Sequence, residues 1–378
     1  MGETIDLTWD QVLAWRVGRH RLAAPTGDPV EVSGALAGVQ CQVMTSAQQV
    51  LAVRCGDPAG IDLDRLLWRD RALVKTWAMR GTLHVLPAAE WRTWVAVLRT
   101  REWRITPGWV KYHGITKAEL DAVTEAIPEA LAGDPLTRDE LADRVAAITG
   151  HAHLGEQLRS GWAAVFKPAA NRGLLCQGPP RGSNVTFTDP DRWLGTAGGT
   201  GPDPDPDDAT AAVLARFLDI YGPATREDLA RWLGVTPKAA RLALAAHADG
   251  LAEVRVEGHA AWMTPAGAAA AAEAGPAEGV YLLPGFDPYV LAPISHRAHT
   301  IPDGRVEQVS RAAGWISPVL LVDGRIAGTW EAKVADGLTT VTVTPFARLP
   351  APVVRAARAH LEQRYAAVLG PDLRLAVA

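Results

Sequence analysis

Two nine-residue segments lying 88 residues apart match almost position for position, and nothing else in the 378-residue chain constrains its fold as strongly. They are Asp134-Pro-Leu-Thr-Arg-Asp-Glu-Leu-Ala142 and Gly222-Pro-Ala-Thr-Arg-Glu-Asp-Leu-Ala230. In each, a Thr precedes a helical run whose first turn is acidic, with Thr137/Glu140 and Thr225/Asp228 at capping-box spacing. Each then reaches a Gly-Leu pair and a candidate hairpin, Gly173-Leu-Leu-Cys176 to Val185-Thr-Phe187 and Gly250-Leu251 to Ala261-Trp-Met263. The later copy carries a full helix-turn-helix: Leu229–Leu233, the turn Gly234-Val-Thr-Pro237, and a second helix from Lys238 to about His247. An internal repeat means that one supersecondary unit is built more than once.

A third version of the same outline lies upstream. Helical spacing runs through Asp10–Leu22 behind the cap Thr8, then through Val32–Val53 with a break near Gly38, then through Leu63–Val74. A short strand, Thr82–Leu86, follows Arg80-Gly81. Helices followed by a small hairpin outline a winged helix, so three such units are expected, at 1–125, 126–195 and 210–264. Between the last two, the Gly-, Pro- and Asp-rich stretch at 196–209 is expected to be a flexible linker. Beyond an alanine tract come strand-like runs at Val280–Leu283, Val319–Val322, Ile326–Trp330 and Leu338–Val343, with a hairpin around Asp323-Gly324. With a helix from Ala351 to Val368 they make a small β domain at 278–378. The expected class is α+β, mainly α.

Charge is spread unevenly. The chain has a net charge of −4, yet Arg65–Lys117 holds eleven Lys and Arg against three acids, a local +8, together with six of the 14 tryptophans. Basic residues interleaved with aromatics suit phosphate contacts and stacking on bases. A tryptophan-rich core with a solvated basic face reads the same composition equally well. The second helix of the last repeat, Lys238–His247, is a poor reading head for base sequence, because most of its side chains are alanine.

Other classes fall away. Three cysteines with no paired spacing, Cys41, Cys55 and Cys176, argue against a disulfide framework or a structural zinc. The histidine pairs His151/His153 and His296/His299 lack a third ligand, so neither a metal nor another cofactor is expected. The first residues have neither the basic nor the apolar region of a secretory signal, and no apolar run is long enough to cross a bilayer. The expectation is a cytoplasmic, nucleoid-associated monomer. Ser295-His296 lacks a nucleophile elbow, which leaves a Ser-His-Asp hydrolase with little support.

Gly38-Val-Gln40-Cys-Gln42 stands where the second helical region breaks. On a helix the two glutamines would diverge, whereas on an extended or turn segment they share a side and both amides can enter one cavity. Glutamines bonding the backbone at a kink are the plainer reading of the same residues. Four segments together resemble one family: Leu7–Arg16, Gly38–Gln42, Thr76–His84 and Leu283–Ala292. By these the chain resembles the winged-helix DNA glycosylases of the AlkZ/YcaQ type, linked to azinomycin self-resistance and to unhooking of interstrand crosslinks. The resemblance spans nearly the whole chain. It implies three tandem winged helices plus a β domain around a concave, positively charged DNA-binding channel, with catalysis by a Gln-x-Gln or Gln-x-Asp motif, here Gln40 and Gln42.

The implied activity is that of a monofunctional DNA glycosylase acting on duplex DNA with alkylated guanine. An N7-alkylated guanine already carries positive charge and leaves without protonation. The enzyme need only place a water and stabilise an oxocarbenium-like sugar. A glutamine carbonyl accepts a hydrogen bond from that water but is no strong base. Asp287 and Tyr289, in the motif Phe286-Asp-Pro-Tyr289, are expected in a secondary electrostatic role, against the alternative that Asp287 caps a turn. Lys75, Arg80 and His84 around the first hairpin and Arg325 beside Asp323-Gly324 are the expected DNA contacts, the latter hairpin probing a groove. The competing function is a non-catalytic winged-helix regulator or lesion-binding protein.

Overall fold

The computed structural model describes residues 4–103, 105–160, 164–199, 201–291 and 293–378; Met1-Gly2-Glu3, Arg104, Thr200 and Ala292 of the segments read above lie outside the described residues. The protein is mixed α+β and folds as two compact units. One takes the chain up to Asp62, Leu214–Trp232 and Thr236–Ala378, and the other takes Leu63–Val213 with Leu233–Val235. The division falls after Asp62, inside the stretch expected as a first repeat.

In the first unit, Thr8 opens the helix Trp9–Arg19 with a capping box to Gln11, and Asp28 caps the helix Pro29–Ala35 with Pro29 in its first turn. The strand Ile5–Leu7 pairs in parallel with Ala252–Val256, which forms an antiparallel hairpin with His259–Met263. The C-terminal sheet is curled into a half-barrel of five strands, in the order Val280–Leu283, Val319–Val322, Arg325–Ala335, Leu338–Pro345 and Leu373–Val377. Alternation explains its two faces, since Thr339, Val341 and Val343 are buried while the residues between them are half-exposed. The helix Ala351–Leu369 packs on it through Leu361 and Tyr365, and the Tyr365 hydroxyl donates to the Leu282 carbonyl at 2.8 Å.

The second unit holds the antiparallel hairpin Leu73–Trp77/Leu83–Pro87 and the helices Lys117–Ala130, Arg138–Thr149 and Ala152–Ser160. Its three-stranded sheet has Asn184–Thr188 in the middle, between Leu136–Thr137 and Cys176–Arg181. The expected capping boxes are present: Thr137 with Glu140 here, and Thr225 with Asp228 in the first unit. The core is built from Leu120, Ile127, Leu141, Val145, Leu158 and Phe187, with Trp77 stacked on Phe187 at 5.9 Å.

Two expectations are corrected. The helical reading of Leu63–Val74 holds only as far as Arg69, its last five residues wound as a wide π turn, because Arg71 adopts a left-handed conformation and Leu73 starts the strand. The expected linker ends early. The Asp205 side chain accepts from the Asp207 amide at 2.8 Å and so starts the helix Pro206–Tyr221, whose acidic first turn suits the positive end of the helix dipole.

All three cysteines are free and buried, and burial pushes the Cys55 thiol up to about 12 and that of Cys176 higher still. Among the described residues, no helix is long and apolar enough to cross a membrane.

Candidate active site

The helix Pro29–Ala35 stops because Ala37 and Gly38 take left-handed conformations in succession, with φ of 56° and 91°, and the Gly38 amide donates back to Ser33. Ala37 takes the first of these positions at some strain, and Gly38 takes the second without a Cβ to clash. The chain leaves this turn extended, through Val39–Gln40, and enters the helix Met44–Arg54 two residues after Gln42. The chain is thus extended at Gln40 and bends at Gln42. The two glutamines differ in depth, Gln40 being 6% exposed and Gln42 lying on the surface. Between them Cys41 is fully buried, its Sγ 3.2 Å from the Met44 sulfur.

Asp287 lies in the same unit with no exposed surface. Its two carboxylate oxygens accept from Nη1 and Nη2 of Arg54 at 2.8 and 2.7 Å, and Oδ1 also accepts from the Tyr289 amide at 2.9 Å. This carboxylate is enclosed and doubly engaged by a guanidinium, so no DNA sugar can approach it directly. Tyr289 is equally enclosed. Its hydroxyl donates to the Gly324 carbonyl at 2.8 Å, its own carbonyl accepts from Arg16, and the Arg16 guanidinium lies over its ring at 4.2 Å. Burial raises the pKa of the Tyr289 phenol.

The expected DNA contacts separate into surface and interior. Arg80, half-buried at φ 56°, sits in the turn of the first hairpin. Lys75 and His84 are buried in its strands. Burial, reinforced by the charge of Arg80, lowers the His84 pKa to about 3, and its Nδ1 lies 2.9 Å from the Thr82 carbonyl. A neutral, enclosed imidazole is no cationic contact for phosphate. Arg325 is exposed and paired with Asp10 at 2.8 Å. The Asp323-Gly324 turn does not project. Gly324 is buried against Leu13, and Asp323 accepts from the Gly279 amide at 2.9 Å. The projecting hairpin is the next one, where Glu331–Ala335 is exposed throughout, Val334 is 74% exposed, and Asp336-Gly337 make the turn. Its signal was the Asp-Gly pair at 336–337.

Much of the +8 stretch is engaged within its own unit. Arg92 and Arg99 both reach Asp203, at 3.1 and 3.2 Å, and Arg65 pairs with Asp70. Arg71 donates to the Trp193 carbonyl and lies 4.2 Å over its ring. Trp77, Trp91 and Trp94 are core residues, whereas Trp68, Trp103 and Trp109 are half-buried. Ser295 donates to Asp228 at 2.6 Å while His296 faces the Pro223 carbonyl, so these residues form no nucleophilic relay. Among the described residues, no group of three or more His, Cys, Asp or Glu is placed to hold a metal ion.

The sequence model described as DNA glycosylase AlkZ-like matches residues 34–370, most of the chain. The chain belongs to the AlkZ-like DNA glycosylase family. A curated relative, the interstrand DNA cross-link repair glycosylase of Streptomyces sahachiroi, is 40% identical over 363 residues, covering 94% of this chain and 95% of that protein. The solved structure of the Streptomyces sahachiroi DNA glycosylase AlkZ matches with a TM-score of 0.85 and 36% identity, over 99% of this chain and 100% of that one. By this homology the AlkZ-like chain is a DNA glycosylase, a hydrolase, and the non-catalytic regulator is set aside. Its substrate is DNA.

Proposed function

We propose that this glycosylase hydrolyses the N-glycosidic bond of cationic N7-alkylguanine in duplex DNA, as bulky adducts or interstrand crosslinks, with the attacking water held by Gln40 and Gln42. One observation carries the reading: Gln40 ends an extended segment and Gln42 stands in the bend that leads into the Met44–Arg54 helix, with one side chain sheltered and one at the surface. Neutral amides suit a reaction whose leaving group is already charged. The glutamine carbonyls accept from the water and turn their dipoles toward the developing positive charge of the sugar. The name of the 40%-identical relative, a cross-link repair glycosylase, supports crosslinks as a substrate.

In this reading the helix-and-hairpin repeats are winged helices. The exposed hairpin around Asp336-Gly337 is the element free to enter a groove. Single-turnover base release on a duplex bearing N7-methylguanine tests the proposal. Gln40→Ala and Gln42→Ala are each expected to slow release by about 100-fold, the scale of losing one preorganised dipole, while duplex affinity is kept. Release at the wild-type rate in both variants overturns it.

A separate measurement sorts the DNA contacts. Each phosphate contact contributes about 0.9 to the slope of log affinity against log salt concentration. Arg80→Ala is expected to lower that slope by about one contact, and His84→Asn to leave it unchanged because the imidazole carries no charge. An unchanged slope for Arg80→Ala removes Arg80 from the interface.

A further inference from the structure

We propose that Arg54 and Asp287 are positioning residues for base release, forming a buried clamp that fixes the helix from which the glutamine segment is suspended. The proposal rests on the glutamine reading above and adds to it the part of the fold that aims the glutamines.

Arg54 is the last residue of the helix Met44–Arg54, and both it and Asp287 are 0% exposed. The guanidinium meets the carboxylate through two parallel bonds, the geometry that fixes both distance and angle. Nη1 also donates to the Val50 carbonyl one turn back at 3.1 Å, which ties the fork to its own helix. From the C-terminal helix, Arg364 donates to the carbonyls of Ala52 and Cys55. Two arginines thus hold the C-terminal end of the helix. Its other end begins two residues after Gln42, about 16 Å away along an 11-residue helix.

The loop that supplies Asp287 runs beside the same helix. Gly285 lies against Ser46, where an added Cβ would be 3.6 Å from the hydroxyl oxygen, and the same Cβ would come within 3.2 Å of the Ile316 carbonyl. Phe286 is buried with φ of 59°, a left-handed conformation that is costly for a bulky side chain and is tolerated where the surroundings enforce it. Its ring meets Trp315 edge-on at 4.9 Å. The chain accepts strain at the residue that turns Asp287 toward Arg54.

Stability alone does not call for this pair. Two buried charges cost desolvation, and apolar residues of similar size often serve as well or better. What apolar contact lacks is direction. A helix that slips by one residue moves 1.5 Å and turns by about 100°, and a displacement of about 1 Å at reacting groups costs on the order of 100-fold in rate. A bidentate pair at the end of the helix forbids that slip.

The test uses the full chain and a duplex bearing N7-methylguanine. The double variant Arg54→Met/Asp287→Leu removes the charges and keeps the volume. Its single-turnover release rate is expected to fall at least 10-fold, with duplex affinity within twofold of wild type. Arg54→Lys, which keeps the charge and loses the fork, is expected to show the same split and serves alone if the apolar pair does not fold. Adding either to the double variant Gln40→Ala/Gln42→Ala is expected to slow release no further than that double variant does by itself, because the clamp acts through both glutamines. A clamp variant that folds and releases base at the wild-type rate overturns the proposal. So does a rate loss that multiplies with that of Gln40→Ala/Gln42→Ala, which leaves the glutamine reading standing. Wild-type release in Gln40→Ala and Gln42→Ala themselves would instead end the glutamine reading, and the clamp's route with it.

Discussion

Duplexes carrying N7-methylguanine or a bulky N7-guanine adduct are expected to lose the damaged base, and duplexes carrying uracil or hypoxanthine to keep theirs. The reason is protonation. A neutral base leaves as a poor anion unless an acid donates a proton to it, and a positioned general acid is worth about 100- to 10,000-fold. Gln40 and Gln42 do not titrate. Asp287, the carboxylate read from the sequence as a secondary candidate, is wholly enclosed with Arg54. His84 is uncharged near neutral pH and so is no general acid there. Discrimination of at least about 100-fold between cationic and neutral bases should follow. Strand cleavage at the abasic product after alkaline treatment measures both rates. Uracil or hypoxanthine release within tenfold of the N7-methylguanine rate would show that an acid assists departure.

Acid should unfold the protein early. His20, His84 and His296 are enclosed and His360 is half-buried, and burial, followed by neighbouring arginine charge, holds each below its ordinary pKa, His84 and His360 at about 3. The bond from the Leu282 amide to His360 Nδ1 requires a lone pair on that nitrogen, which fits the neutral ring. In the unfolded chain a histidine takes up its proton near pH 6.5. Above that pH these groups leave the balance unchanged. Below it the unfolded state binds protons that the folded state refuses, so stability falls with pH. The loss approaches about 1.4 kcal/mol per pH unit for each group until its folded pKa is reached. For His84 and His360 the window runs from 6.5 down to about 3. Melting temperatures taken from pH 7.5 to 5 should be level above 6.5 and drop steeply below it. A level curve through pH 5 would mean that these rings are protonated in the folded state.

How much of this was readable in the sequence depends on how local the information is. Strands at Val280–Leu283 and Val319–Val322 coincide with the expectation because turn residues bound them. The capping boxes are equally local. Pairings between distant segments are not encoded in any window. Ile5–Leu7 joining Ala252–Val256 leaves no trace in either stretch, and nothing within Leu373–Val377 names Leu338–Pro345 as its neighbour. The site divides in the same way. Gly38 announced the break that leaves Gln40 extended, whereas Asp287 before Pro288 reads as an electrostatic candidate or a turn cap, with nothing to name Arg54 as its partner. One signal was present: Arg16 and Arg54 fall among Val12, Leu13 and Trp15 and among Val50, Leu51 and Val53, where a solvated arginine does not belong. A charge on an apolar face demands a buried partner, and that partner can lie anywhere in the chain.

The three enclosed cysteines carry a consequence for an enzyme of alkylation repair. Agents that attack guanine N7 are electrophiles, and the softest nucleophile a protein offers them is a thiolate. With its pKa near 12, Cys55 is ionised in fewer than about one molecule in ten thousand at neutral pH, and Cys176 less often still. Cys41, beside both glutamines, is sealed from solvent. The chain keeps its most alkylatable atoms out of reach of the chemistry that creates its substrate.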